Sequence, residues 1–391
     1  DELGTEDYLV RSTEFEFDET PIASFITSVI QSGYALETNG KYLKKSLPPV
    51  EFKYSKAEIQ SEVGKIDGES LENLPYGLDG TKYQWVDLDG EGISGVLTEQ
   101  ADAWFYKPAL GGGRFGPVQC VGLKPSIADV GGGQQLMDLA GDGQLDLVQF
   151  APPVSGFYER TNEGGWSNFE PFDSLPNLNW RDPNLKFIDL TGDGHSDILI
   201  SEDHVFTWYE SLAEEGFRKG EKSPQFFDEE KGPRLVTADA TQSIFLADMS
   251  GDGLTDLVRI RNGEICYWPN LGYGRFGAKV TMDGSPHFDT ADRFDQQRIR
   301  LADIDGSGLS DVIYLRSDGV HLYFNQSGNS WSEGRRLDIF PPADNLSSEQ
   351  AKTRIHRSQI RPRCRCKRIL QTLSIQHTNR LSPSNLKMRR S

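Results

Sequence analysis

The sequence predicts an all-β chain built as an array of propeller-type blades. Three observations carry that prediction. Five nine-residue Asp/Gly segments align without gaps between residues 87 and 311. They recur every 51 to 59 residues, about the length of one four-stranded blade. Between them lie β-branched and aromatic runs with glycine-rich turns, and no long helical periodicity.

The segments are DLDGEGISG (87–95), DLAGDGQLD (138–146), DLTGDGHSD (189–197), DMSGDGLTD (248–256) and DIDGSGLSD (303–311). Short apolar runs precede most of them: YQWV, QQLM, LKFI, IFLA and IRLA. Strand-like runs follow, namely LDLVQF, SDILI, TDLVRIR and SDVIYL, with a weaker GVLTEQ in the first copy. An aromatic strand and a glycine-marked hairpin come next, as in AWFYKPALGGGRFG (103–116) and EICYWPNLGYGRFG (264–277). Each unit therefore reads as several antiparallel strands with an Asp loop at one hairpin. Residues 76–348 are assigned to this array, which holds five recognisable blades and is incomplete as a propeller. Residues 1–75 form a β-rich lead-in, and residues 349–391 form a basic tail.

The formal net charge of −18 is unevenly spread. Residues 352–391 carry twelve Lys/Arg and no Asp or Glu. Setting those twelve aside from 41 Lys/Arg and 59 Asp/Glu leaves −30 over residues 1–351. So acidic a body argues against nucleic-acid binding. The abrupt change after residue 350 reads as a shifted frame or an unspliced intron, and that tail as disordered. The competing functional reading is a basic arm for anionic partners. A chain that starts at Asp1 reads as a fragment or a processed product. No window holds the ~20 apolar residues of a membrane span. Cys120, Cys266, Cys364 and Cys366 match neither a disulfide framework nor a zinc site.

The loops have the residue types of a metal site. Carboxylates or hydroxyls fall at loop positions 1, 3, 5 and 9, except for Ala140 at position 3 of the second loop and Gly95 at position 9 of the first, and glycine falls at positions 4 and 6 in all five copies. Glycine permits the positive φ that lets alternate side chains converge on one point. Calcium takes six to eight oxygens and suits such a set. The candidate ligands are Asp87, Asp89 and Glu91 in the first loop and Asp138, Asp142 and Asp146 in the second. Asp189, Asp193 and Asp197 serve in the third, Asp248, Asp252 and Asp256 in the fourth, and Asp303, Asp305 and Asp311 in the fifth. About three anionic ligands per loop would give weak binding with partial occupancy, roughly 10⁻⁴ to 10⁻³ M. The loops are not EF-hands, because position 12 lacks the bidentate Glu and a strand pattern follows. The competing reading is that Asp and Gly build Asx-turns, in which the carboxylate caps backbone N–H groups without metal.

No catalytic constellation stands out, and the chain reads as non-enzymatic. His195 lies inside the third loop and reads as an exposed turn residue; Asp203 and His204 read as a solvated turn. Neither a G-x-S-x-G elbow nor a G-x-x-x-x-G-K-[ST] phosphate loop occurs. Paired carboxylates could suit a glycosidase, but a fivefold recurrence argues for structure. Trp104, Tyr106, Trp208, Tyr209, Tyr267, Trp268 and Tyr323 alternate within strands and read mostly as blade packing; sugar-binding platforms are the alternative.

The D-x-x-G-D-G-x-x-D loop, its following strand and the Y-x-N-x-G-x-G-x-F hairpin resemble the FG-GAP or VCBS repeat. That resemblance implies a β-propeller like the head of integrin α-subunits. Residues 83–106, 183–208, 246–277 and 322–333 look more narrowly like the B component of insecticidal Tc toxin complexes and SpvB-type virulence proteins. The run YLVRSTEFEFDETPIASFITSVIQSGY (8–34) resembles the end of the SpvB-type domain. The resemblance implies a secreted, non-enzymatic scaffold whose propeller docks on and gates a pore-forming A-type partner beside an Rhs-type C component. Two other functions stay open: an integrin-like calcium-dependent adhesion or carbohydrate-binding propeller, and the non-catalytic part of an enzyme.

Overall fold

The computed structural model describes residues 9–54, 66–73, 83–90, 92–100, 103–122, 124–125, 134–161, 163–237 and 243–337. The basic-tail assignment at 349–391 and the candidate ligand Glu91 lie outside these residues. The chain divides into two units, which hold described residues 9–54 and 66–337 respectively. Both are β-rich, and the longest helix among the described residues is the four-residue Gly68–Leu71.

The first unit is a four-stranded antiparallel sheet centred on Ser24–Leu36. Arg11–Glu19 pairs along one side of it, with a bulge between Glu16 and Phe17. Tyr42–Ser46 and Val50–Glu51 pair along the other. Alternation divides its faces. Phe15, Phe17, Leu43 and Val50 are exposed. The polar set includes Ser12 with Tyr34 at 3.0 Å, Ser32 with Ser46 at 2.9 Å, and the Lys44–Glu14 ion pair.

The second unit holds five four-stranded antiparallel sheets, each formed from one stretch of sequence with its strands side by side in chain order. In the fourth these are Ile244–Ala247, Asp256–Arg261, Glu264–Trp268 and Val280–Thr281. The Asp loop joins the first strand to the second in every sheet. Loop position 9 opens the second strand and pairs with the residue just before the loop: Met137↔Asp146, Ile188↔Asp197, Ala247↔Asp256 and Ala302↔Asp311. In the first sheet Val86↔Gly95 is the equivalent pair. The third strand runs into a tight hairpin closed by residues six apart, at Ala109↔Phe115, Arg160↔Trp166, Ser211↔Phe217, Asn270↔Phe276 and Asn325↔Trp331. The glycine-rich stretches 111–116 and 272–277 are these hairpins.

The second strand explains how the sheets pack. Its first two apolar residues point to opposite faces, and both faces are buried. Leu147 packs in a cluster with first-sheet residues Leu97, Trp104 and Tyr106. Its neighbour Val148 packs with third-sheet residues Leu185 and Ile198. Leu199 then meets Leu257 and Trp268 of the fourth sheet, and Val258 meets Val312 and Tyr314 of the fifth. Each of the three middle sheets shares one core with the sheet before it and another with the sheet after it. Of the aromatics considered as sugar platforms, Trp104, Tyr106, Trp208, Tyr267, Trp268 and Tyr323 are buried in these cores.

Candidate functional site

Four of the Asp loops are cages of backbone hydrogen bonds built on two carboxylates, and the first, with Gly95 at position 9, keeps only the position-1 carboxylate. The position-1 carboxylate spans the two loop glycines. Asp248 Oδ1 accepts from Gly251 N at 2.7 Å and Oδ2 from Gly253 N at 2.9 Å. Asp189 does the same at 2.6 and 3.0 Å, and Asp303 at 2.7 and 3.0 Å. Asp138 reaches Asp142 N and Gly143 N at 3.2 and 3.3 Å, and Asp87 accepts from Gly92 N at 2.7 Å. The glycines at positions 4 and 6 all lie at positive φ, as the curl requires.

The position-9 carboxylate ties the loop to the hairpin. Its Oδ2 accepts from the position-2 N–H: Leu139 to Asp146 at 3.1 Å, Leu190 to Asp197 at 2.9 Å, Met249 to Asp256 at 2.9 Å and Ile304 to Asp311 at 2.7 Å. Its Oδ1 accepts from the backbone N–H fourteen residues on, which belongs to Arg160, Ser211, Asn270 or Asn325, at 2.8 to 3.4 Å. These fourteenth residues escaped the sequence reading. Backbone donors leave no residue-type signature, and only their constant offset from position 9 could have found them.

Burial dominates the electrostatics of position 9. It raises Asp146 to about 6, Asp197 to about 7 and Asp256 to about 6, against the donated N–H bonds that pull the other way. Asp311 is raised well above the ordinary carboxylate range by burial, with Asp305 and Asp303 adding like-charge repulsion. Asp248 is also raised by burial.

The predicted ligands separate by position. Asp142, Asp193 and Asp252 at position 5 are exposed. Each closes an Asx-turn, accepting from the N–H two residues on at 2.7 to 2.9 Å. Asp89 is exposed and pairs with Arg160 Nη2 at 2.9 Å. Among the described residues only Asp303, Asp305 and Asp311 bring three carboxylates together, with ligand oxygens within 4.8 Å of one another. The fifth loop alone has Asp at positions 1, 3 and 9. At position 3 the third and fourth loops have Thr191 and Ser250, whose hydroxyl oxygens are buried without a hydrogen-bond partner.

The loops also touch one another in chain order. A Cβ added to Gly192 would meet Leu254 Cδ2 at 3.1 Å, and one on Gly251 would meet Leu309 Cδ2 at 3.0 Å. One on Gly141 would meet His195 Nε2 at 3.2 Å. Position 4 of one loop thus sits against position 7 of the next. His195, read from sequence as an exposed turn residue, is half-buried in this contact, with Nε2 3.3 Å from the Ala140 carbonyl. The hairpins add direct ties: Asn270 Nδ2 donates to the Asp189 carbonyl at 3.4 Å, and Asn325 Nδ2 to the Met249 carbonyl at 3.0 Å.

This architecture is similar to part of a Tc toxin complex. Over 85% of this chain and 15% of the other, it matches the Photorhabdus luminescens Tc holotoxin pore structure at 29% sequence identity and a TM-score of 0.65. The chain therefore spans about a seventh of that relative's length. It also matches TcdB2-TccC3 without its hypervariable C-terminal region at 27% identity and a TM-score of 0.48, covering 87% of this chain and 16% of that one. No protein-family model matches the chain, and no curated protein matches it. The holotoxin match supports a relationship between this β-rich chain and part of a Tc toxin complex. No helix among the described residues is long and apolar enough to cross a membrane.

Proposed function

We propose that the chain is the sheet-array region of a B-type subunit of a Tc toxin complex, serving without catalysis as scaffold, docking surface and gate for a pore-forming A-type partner. The observation that carries this reading is the holotoxin similarity, which runs through 85% of the chain at 29% identity. The site chemistry supports it. The loop carboxylates at position 1 in five loops and at position 9 in four are engaged by backbone N–H groups, as suits a rigid repeated framework. The finer assignments belong to the same proposal: an FG-GAP or VCBS type of propeller, a lead-in of SpvB type, an Rhs-type C partner and secretion. Competition binding tests it. The chain is titrated against a purified pore-forming A-type subunit already holding its own B-type subunit. Displacement supports docking. Absence of both binding and displacement removes the docking and gating role.

A second reading concerns the fifth loop, where the converging Asp303, Asp305 and Asp311 carboxylates suit calcium. The fit is partial. Asp303 and Asp311 already accept four backbone N–H bonds, so their remaining lone pairs, Asp305 and water would complete the shell. In this reading calcium would offset the mutual repulsion of three clustered carboxylates. Isothermal titration of the chain with calcium tests it, with Asp305→Asn as the control.

A further inference from the structure

Two Asn–Gly dipeptides occur in the sequence, Asn39–Gly40 and Asn262–Gly263, and the fold treats them differently. Asn39 lies at the exposed tip of the hairpin between Ser24–Leu36 and Tyr42–Ser46. Its Oδ1 accepts from Lys41 N at 2.8 Å, an Asx-turn that folds the side-chain amide back over the Gly40 peptide. Its Nδ2 donates to Glu37 Oε2 at 2.9 Å, and Gly40 N donates to the Glu37 carbonyl at 3.0 Å. Every partner lies within the same five-residue turn. A Cβ added to Gly40 would meet nothing within 4 Å, so no neighbouring segment crowds the peptide.

Asn262 is tied to a distant segment instead. Its Nδ2 donates to the Asp289 carbonyl at 2.7 Å. Its Oδ1 accepts from Phe288 N at 2.7 Å and Asp289 N at 3.4 Å. Gly263 N donates to the Pro286 carbonyl at 2.9 Å, and the ring of His287 packs where a Gly263 Cβ would stand. Swinging this amide onto its own glycine would break all of these bonds and leave part-buried donors and acceptors unpaired.

We infer that Asn39 is a spontaneous modification site at which the chain ages into aspartate and isoaspartate, while Asn262 is protected by the fold. The step balances without any oxidant or reductant. Gly40 N attacks Asn39 Cγ, a C–N bond forms, and Nδ2 leaves as ammonia, taking up the proton released from Gly40 N. The resulting cyclic imide is opened by water at either carbonyl. Opening at one carbonyl restores a normal backbone with an aspartate side chain. Opening at the other inserts an extra carbon into the backbone at the hairpin tip. Both products lose the Nδ2 donor that faces Glu37 and gain a carboxylate at residue 39, so a hydrogen bond gives way to like-charge repulsion within the turn. That repulsion falls beside the Leu36↔Tyr42 pair, where the two strands begin.

The test is peptide mapping by mass spectrometry of the full chain during prolonged incubation in mildly alkaline buffer. A parallel sample is kept in urea. The expected result in the folded chain is a gain of one mass unit at Asn39, in normal and iso forms, at least about tenfold faster than at Asn262. In urea the two rates should converge, because both dipeptides then lose their surroundings. Equal rates in the folded chain would overturn the inference. So would a difference that persists unchanged in urea, since local sequence and not the fold would then be its cause.

Discussion

Asp256 Oδ1 accepts a hydrogen bond from Asn270 N at 2.8 Å, joining the start of the second strand to the hairpin after the third. The other carboxylate oxygen accepts from Met249 N at 2.9 Å. One fully buried side chain thus holds three segments of its repeat. Asp256→Ala leaves two N–H groups unpaired in the interior, so it should cost about 2–5 kcal/mol. Urea unfolding measures this, and a loss under about 1 kcal/mol would show that the carboxylate is not a structural tie.

Asp197 gives a pH dependence of definite sign. Burial raises it from the ordinary 3.8 to about 7. Between those values the folded chain keeps a proton that the unfolded chain has released. Its contribution to stability is therefore complete below pH 3.8, shrinks as pH rises, and is gone above about 7. Asp146 and Asp256, each raised to about 6, act in the same direction. Urea unfolding at a series of pH values should show Asp197→Asn with a shallower decline across this window than the native chain.

Calcium at the fifth loop predicts a thermal shift. At about tenfold excess over Kd, one site adds about 1.4 kcal/mol to the folded state. Melting with millimolar calcium should exceed melting with chelator, and Asp305→Asn should abolish the difference. Equal melting temperatures for the native chain would remove the ion from the fifth loop.

Gly251 and Gly253 separate backbone strain from contact between loops. Their φ values are 81° and 90°, so alanine is strained at either, by about 1–3 kcal/mol. A Gly253 Cβ would meet nothing within 4 Å, whereas a Gly251 Cβ would press on Leu309 of the fifth loop. Gly251→Ala should therefore cost more than Gly253→Ala. Adding Leu309→Ala to each variant should recover that excess only for Gly251→Ala.

Arg259 anchors the connection that follows the third sheet. Its buried guanidinium donates to Glu229 at 2.9 and 3.3 Å and to Glu264 at 3.2 Å, and lies 5.3 Å from the Trp268 ring centroid. Arg259→Ala should cost about 3–5 kcal/mol, since it strips a buried network of its cation. Glu229→Gln should cost about 1 kcal/mol or less, because that carboxylate is largely solvated and Glu264 remains. The Arg259 hydrogen bond holds Glu229 down at about 2, so its contribution is present above pH 4.5 and fades as pH falls toward 2. Below pH 4.5 the native chain should lose stability more steeply than Glu229→Gln.

The repeat was legible because Asp and Gly recur at fixed spacing and the strands alternate in polarity around them. The adjacent pair Leu257–Val258 is visible in sequence as an apolar run, and burial on both faces explains it. The role of the loop carboxylates was not legible. The same residue types suit a cation and an Asx-turn, and only geometry shows position 5 facing solvent while positions 1, 3 and 9 converge. Asp305 is the fifth loop's particular feature, since Ala140, Thr191 and Ser250 take its place in the three loops before it. The ties between loops were hidden because they join backbone atoms and glycines far apart in sequence, such as Gly251 and Leu309.

The opposed pair at the head of each second strand has a consequence for how such a chain is divided. Val258 completes an interior shared with the next sheet, and Leu257 one shared with the sheet before. The unit of sequence repetition is therefore not the unit of folding. A cut between repeats falls through the middle of a shared interior and leaves two raw halves. Exchange of single repeats between related chains would have to reconcile two foreign surfaces at once. A cut made within the long connection 225–243 still separates residues that bury each other. Sequence in this array should thus change repeat by repeat only through matched substitutions on facing sheets, with free variation confined to the exposed turns.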